Sequence, residues 1–212
     1  MAEQERRPLS GRRAEAARND GRIEDAARAV FAADPGAPIA AVAARAGVGI
    51  GALYRRYPSK EILLHTLATE GLARHRAALD AALADAGEPW AVFAGFLRAA
   101  VAAGSGSLTV RFAGEFPAGD ALHEAGRAAL AATQRLLDRA QGAGVVRADL
   151  TVGDLALLLE QAQALRLGDD TRAAELRQRV LTIVLDGLRA PDASPLPGAA
   201  PTWAELRGRY DR

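Results

Sequence analysis

The chain has no cysteine among its 212 residues. Disulfides, thiolate nucleophiles, thiolate metal ligands and thiol redox sensing are therefore excluded together. Histidine is scarce, with only His65, His75 and His123. His65 and His75 fall near the same face of one helix, but zinc needs three or four converging ligands, and no metal is expected. No apolar run of membrane-spanning length interrupts the charged residues, and the opening MAEQERRPLSGRR lacks the apolar stretch of a signal peptide. A cytoplasmic protein with no membrane association is expected. No run alternates long enough to form a strand, and no elbow motif, glycine-rich phosphate loop or acid/base pair stands out. Gly47-Val48-Gly49-Ile50-Gly51 departs from the dinucleotide-binding pattern and has no strand before it. The expectation is an all-α protein that is not an enzyme and carries no cofactor. Lys60 is the single lysine. The preference for arginine reflects genome composition more than function, which weakens inferences from any isolated arginine.

What is present is helical periodicity and a lopsided charge. Net charge is +1, yet residues 1–60 hold 11 Arg/Lys against 7 Asp/Glu, and residues 61–212 hold 16 against 19. A positive N-terminal end favours a polyanionic partner there, without a nucleic-acid coat over the whole molecule. Length fits two domains. Residues 1–18, with Arg12 and Arg13 among five arginines, read as a flexible basic arm. The arm is either a solubilising tail or a segment that follows phosphates or enters the minor groove. A first amphipathic helix is expected from Asp20 or Gly21 to Ala33, with Phe31 central to a small core.

Residues 39–64, IAAVAARAGVGIGALYRRYPSKEILL, read as two short helices meeting at Ala46-Gly47-Val48, followed by the start of a long third. Val42, Ala43 and Ala46 give the first an inner face, Gly47 permits a reversal with positive φ, and Val48 and Leu53 return the second against the first. This is a helix-turn-helix, whose second helix enters a major groove. Over Gly49–Arg56 or Tyr57, Ile50 and Ala52 offer only apolar contact, so polar readout of bases falls mainly to Arg55 or Arg56, and residue types alone do not choose between them. Tyr57 is either a core aromatic or a DNA contact. Lys60 in the first turn of its helix suits a phosphate clamp, or is an ordinary exposed lysine.

The run AVAARAGVGIGALYRRYPSKEILL resembles the N-terminal DNA-binding domain of the tetracycline-repressor (TetR) family of bacterial transcriptional regulators, over about residues 22–64. The resemblance rests on the tyrosine near the end of the recognition helix, an aromatic three residues later and a lysine opening the next helix. It implies that Tyr54 contacts the DNA backbone. It also implies a homodimer built from the last two large helices, two heads on a palindromic site in double-stranded DNA, and release by a small molecule. Gly49 and Ala52 depart from the family pattern, where hydroxyl residues are common, so affinity leans on the arm and the arginines.

Domains are expected at 1–18 (arm), 19–58 (helix-turn-helix), 59–190 (effector binding and dimerisation) and 191–212 (a C-terminal tail, flexible or packed loosely on its own domain). Ser59 caps a long helix to about Asp85. Further helices are read near 88–103, 108–113, 118–141, 152–166 and 171–189, nine in all. Apolar faces on the last two, Leu155 to Leu165 and Leu176 to Leu188, are broader than one intrachain contact needs and support a dimer. Candidate effector-lining residues are Trp90, Phe93, Phe96, Leu97, Phe112, Phe116, Leu130 and Gln134, with Arg111, Glu115 and His123 for polarity. Aromatics concentrated around 90–116 favour an apolar or aromatic effector. The alternatives are an activator, a regulator without a ligand, or a helical protein-interaction module that has lost DNA affinity.

Overall fold

A computed structural model describes residues 9–34, 36–104, 120–189 and 194–208. Among these, nine helices form: α1 Leu9–Ala33, α2 Ile39–Ala46, α3 Ile50–Arg56, α4 Lys60–Ala84, α5 Pro89–Ala103, α6 Asp120–Gly142, α7 Val152–Ala164, α8 Asp170–Leu188 and α9 Trp203–Gly208. The architecture is all-α. Among the described residues the one extended pairing is an isolated antiparallel bridge between Val146 and Arg189. The short helix expected at 108–113 lies outside the described residues.

Two compact units divide between Leu67 and Ala68, within α4. The division was expected at 58/59. Leu63, Leu64 and Leu67 are fully buried, while the apolar cluster of the second unit begins only at Leu72. The opening turns of α4 therefore complete the core of the first unit.

In that first unit, α1 begins eleven or twelve residues before the expected start. Apolar spacing was the sequence signal for α1, and residues 9–18 lack it. Once a helix is nucleated, however, Ala, Arg and Glu extend it at little cost, and LSGRRAEAAR is rich in them. Arg12 and Arg13 thus stand on a helix rather than in an irregular arm, and their side chains lie outside the described residues. Ile23, Ala26, Ala27 and Phe31 bury the inner face of α1, and α2 answers with Ile39, Val42, Ala43 and Ala46. Gly47 ends α2 in the left-handed region at φ 65, its N–H donating back to the Ala43 and Ala44 carbonyls.

The second unit is centred on α5, which packs against α6, α7 and α8. The starts of α5, α7 and α8 are specified locally. The Glu88 carboxylate accepts from the Trp90 and Ala91 N–H groups at 3.0 and 2.7 Å. Thr151 and Asp154 form a reciprocal capping box for α7, and Asp169 accepts from the Arg172 N–H at 2.8 Å to open α8. Phe93, Leu97, Leu136, Leu137, Leu155, Leu181 and Leu185 make the interior.

Of the two states expected for the tail, flexible or packed on its own domain, residues 194–206 take the second, and they are fastened more firmly than expected. Arg147 binds Asp149 through two nitrogens at 2.6 and 3.0 Å and donates to the Ser194 carbonyl at 2.5 Å. Asp149 in turn accepts from the Leu196 N–H at 3.0 Å. A Cβ at Gly153 would collide with the Pro201 carbonyl oxygen, so the glycine at the start of α7 admits the tail. Thr202 and Glu205 cap α9, and Leu206 is 2% exposed. A proline-rich stretch has no periodicity to announce such docking, since its partners come from elsewhere in the chain.

Candidate nucleic-acid interface

α3 is two turns long and is held by few anchors. Its N-cap, Gly49, provides a carbonyl for the Ala52 and Leu53 N–H groups at 2.9 and 3.1 Å but no side-chain cap. Leu53 is fully buried beneath it. Tyr57 closes it and is 1% exposed, its hydroxyl donating to Glu24 Oε1 at 3.1 Å. Burial, then the neighbouring Glu24 carboxylate, push the Tyr57 phenol well above its ordinary range. Its placement among candidate DNA contacts is therefore corrected: Tyr57 is a core residue whose one polar atom is satisfied by α1.

Leu53 and Tyr57 are turned inward, while Ile50 and Tyr54, one turn apart, are 42% and 47% exposed. Ala52 is half-buried and Arg55 exposed. Arg56 is exposed but committed: its Nε donates to Asp20 Oδ2 at 2.9 Å, and its guanidinium lies 5.0 Å from the Tyr57 ring centre. The bond to Asp20 raises the Arg56 pKa further. Among the described residues Arg55 has no carboxylate partner. Lys60 is half-buried, with Nζ 5.1 Å above the Phe31 ring, a cation–π contact that draws the ammonium toward the core of its unit. Ser59 accepts from the Ile62 N–H at 3.3 Å and caps α4 as expected.

Apolar periodicity overlooked Asp20 and Glu24. The signal was available, because carboxylates four apart share one face of a helix, and here they meet the adjacent Arg56 and Tyr57 at the end of α3. Together they pin the recognition helix to α1 by its C-terminal end.

The effector candidates are only partly gathered. Phe93, Phe96 and Leu97 are buried in the second unit, and Trp90 packs against the same cluster, 6.3 Å from Phe93 between ring centres. The Arg189 guanidinium lies 4.3 Å over the Trp90 ring. Leu130 is half-buried and outside that cluster, and Gln134 is exposed and donates to Asp138 at 2.7 Å. Phe112, Phe116, Arg111 and Glu115 lie outside the described residues, and His123 is exposed. His75 was missed as a neighbour of these aromatics: its ring is 5.5 Å from that of Phe96, and Nδ1 is buried without a hydrogen-bond partner. Burial pushes its pKa down.

Comparison with known proteins follows the same division. The model of bacterial regulatory proteins of the tetR family matches residues 23–67, and that of the C-terminal domain of SbtR-like transcriptional regulators matches residues 85–190. No curated protein matches. Among solved structures, a TetR transcription regulatory protein from Mycobacterium vanbaalenii is 34% identical, covering 86% of this chain and 100% of that one, with a TM-score of 0.51. A TetR transcriptional regulator from Streptomyces coelicolor is 28% identical over 82% of this chain and 99% of its own, with a TM-score of 0.53. LfrR from Mycobacterium smegmatis, solved with proflavine, shares the fold at 22% identity and a TM-score of 0.52, over 78% of this chain and 95% of its own.

Proposed function

The chain belongs to the tetR family of bacterial transcriptional regulators, and on that premise we propose that it is a cytoplasmic homodimeric repressor that binds a palindromic operator and is released by a small apolar or aromatic molecule. The observation that carries DNA reading is the outer face of α3. Ile50, Tyr54 and Arg55 stand exposed on a helix that the buried Leu53 and Tyr57 lock in place. A helix so held presents side chains to base edges without the freedom to turn them away. Arg55 is the base reader of the two arginines, because Arg56 is held by Asp20 and stays with its own unit. Bidentate pairing of Arg55 with guanine is worth ~1–3 kcal/mol of discrimination. Tyr54 donates its hydroxyl to a backbone phosphate, and Ile50 meets a thymine methyl.

Homodimerisation is supported by the apolar side chains that the second unit leaves outside, above all Leu167 and Ile183, both 66% exposed, and Val180. An apolar or aromatic effector is supported by the buried aromatics of α5 and by His75, whose free Nδ1 is a hydrogen-bonding group among rings. No helix among the described residues is long and apolar enough to cross a membrane.

The test is a salt titration of binding to the duplex upstream of the protein's own gene against a scrambled duplex, with Arg55→Ala and Arg56→Ala beside the wild type. Selective binding is expected. Arg55→Ala should lose roughly tenfold or more of that selectivity, about one bidentate base contact. Arg56→Ala should act through the stability of the head. Equal affinity for both duplexes at moderate salt counts against own-promoter control, and absence of any binding favours a helical protein-interaction module.

A further inference from the structure

Between α1 and α3 lies an open cleft of about 430 Å³, formed within the first unit. Its lining mixes small and apolar residues, Ile23 and Val48 among them, with charged ones, Asp20 as well as arginines. Gly49 and Ala52 contribute nothing beyond a methyl group, while Arg22 from α1 and Arg55 and Arg56 from α3 border the space. Arg22 reaches over the turn at Gly47. A Cβ at that left-handed position would sit 2.8 Å from an Arg22 terminal nitrogen, so the bare turn lets the guanidinium lie over the entry to α3.

The charges in the cleft do not cancel. Asp20 takes Arg56. Among the described residues neither Arg22 nor Arg55 has a carboxylate partner, and both are exposed. Two uncompensated guanidinium groups at the edge of an open cleft favour an anion, and their planar forks match phosphate oxygens two at a time. A cleft that opens off the helix carrying Ile50, Tyr54 and Arg55 has one abundant source of phosphate at hand, the backbone of the DNA being read.

We propose that the α1–α3 cleft seats one DNA backbone phosphate, with Arg22 as its anchor and Asp20 holding Arg56 aside as the wall. This rests on the DNA-reading function proposed above. It assigns a phosphate contact to α1, where α3 lacks a side chain at its N-cap to make one.

The experiment measures the salt dependence of duplex binding for wild type, Arg22→Ala, Arg22→Lys and Gly49→Asp. For Arg22→Ala the slope of log K against log salt should shrink by about 0.9, the value of one released phosphate counterion. Its affinity loss should be the same factor on upstream and scrambled duplexes, because a phosphate carries no sequence. Arg22→Lys should restore the slope, since the charge returns. Space around a Cβ at Gly49 is open, and aspartate is a favoured N-cap, so Gly49→Asp should melt no lower than wild type while binding both duplexes at least about tenfold more weakly. An unchanged slope in Arg22→Ala, with wild type binding normally, overturns the proposal and leaves the DNA-reading function standing. Wild type that binds no duplex overturns both. In a third arm, inorganic phosphate is titrated into the protein without DNA. Saturable binding abolished by Arg22→Ala, alongside an unchanged DNA slope, makes the cleft a free-anion site and overturns the DNA assignment.

Discussion

Tyr54 and Tyr57 have the same side chain, three residues apart, and opposite surroundings. Tyr57 is sealed against α1 with its hydroxyl on Glu24, and Tyr54 stands half in solvent. Tyr57→Phe should lower unfolding stability by about 1.5–3 kcal/mol, one hydrogen bond to a charged carboxylate, with duplex binding nearly unchanged. Tyr54→Phe should leave the melting curve alone and weaken duplex binding by about tenfold, the loss of a charge-assisted bond to phosphate. Melting and binding measured on both variants separate the two roles, and a Tyr57→Phe that binds poorly but melts normally would return Tyr57 to the interface. His75 makes a second prediction at this scale. Its pKa is lowered in the folded chain by burial, so the unfolded chain binds the extra proton first as pH falls. Stability should therefore be full above the unfolded histidine value, about 6.5, and should decline as pH falls below it. His75→Phe should flatten the melting temperature between pH 7 and pH 5.

Among the elements, α1 and the tail carry the consequences. α1 supplies Asp20, Arg22 and Glu24 to the turn-and-recognition-helix region as well as Phe31 to the core, so it is a scaffold that also borders the proposed interface. The tail is held by the Arg147–Asp149 pair, the Gly153 notch and buried Leu206. A buried Leu→Ala change costs ~2–5 kcal/mol, but a tail can detach locally, so the loss in Leu206→Ala should stop at the free energy of docking. The expected result is faster proteolytic cleavage after residue 190 with a modest fall in melting temperature. Asp149 is held well below the ordinary carboxylate range by Arg147 and the Leu196 N–H. With its pKa lowered on docking, it favours the bound tail above about pH 4, the unfolded value, and that contribution should fade below it. Protease protection of the tail, followed against pH in wild type and Asp149→Asn, checks this; equal protection at every pH would leave the pair without a role in docking.

For the whole molecule, the proposed homodimer rests on the apolar side chains left exposed on the second unit. Ile183 and Val180 stand on the outer face of α8, with Leu167 just before it. Burying such side chains contributes ~1.5–3 kcal/mol each in full transfer from water. Ile183→Glu should therefore convert the dimer to monomer at micromolar concentration in sedimentation velocity without unfolding the chain. A monomeric wild type would remove the homodimer from the proposed function, and with it the palindromic operator.

Local chemistry made much of this protein legible in advance. The positive φ at Gly47, the Ser59 cap, the helix breaks and the buried apolar stripes follow from neighbours in the chain, and so did the all-α class and the helix-turn-helix. Tertiary structure alone decided which of two arginines is free, because Arg56 finds its carboxylate 36 residues away on α1. It also turned Tyr57 inward, placed Arg22 over a bare turn, carried the core of the first unit into α4 and fastened the tail across a glycine. Helix and turn propensities are summed over a few residues, whereas an ion pair, a buried phenol or a docked proline-rich segment depends on where the rest of the chain comes to lie.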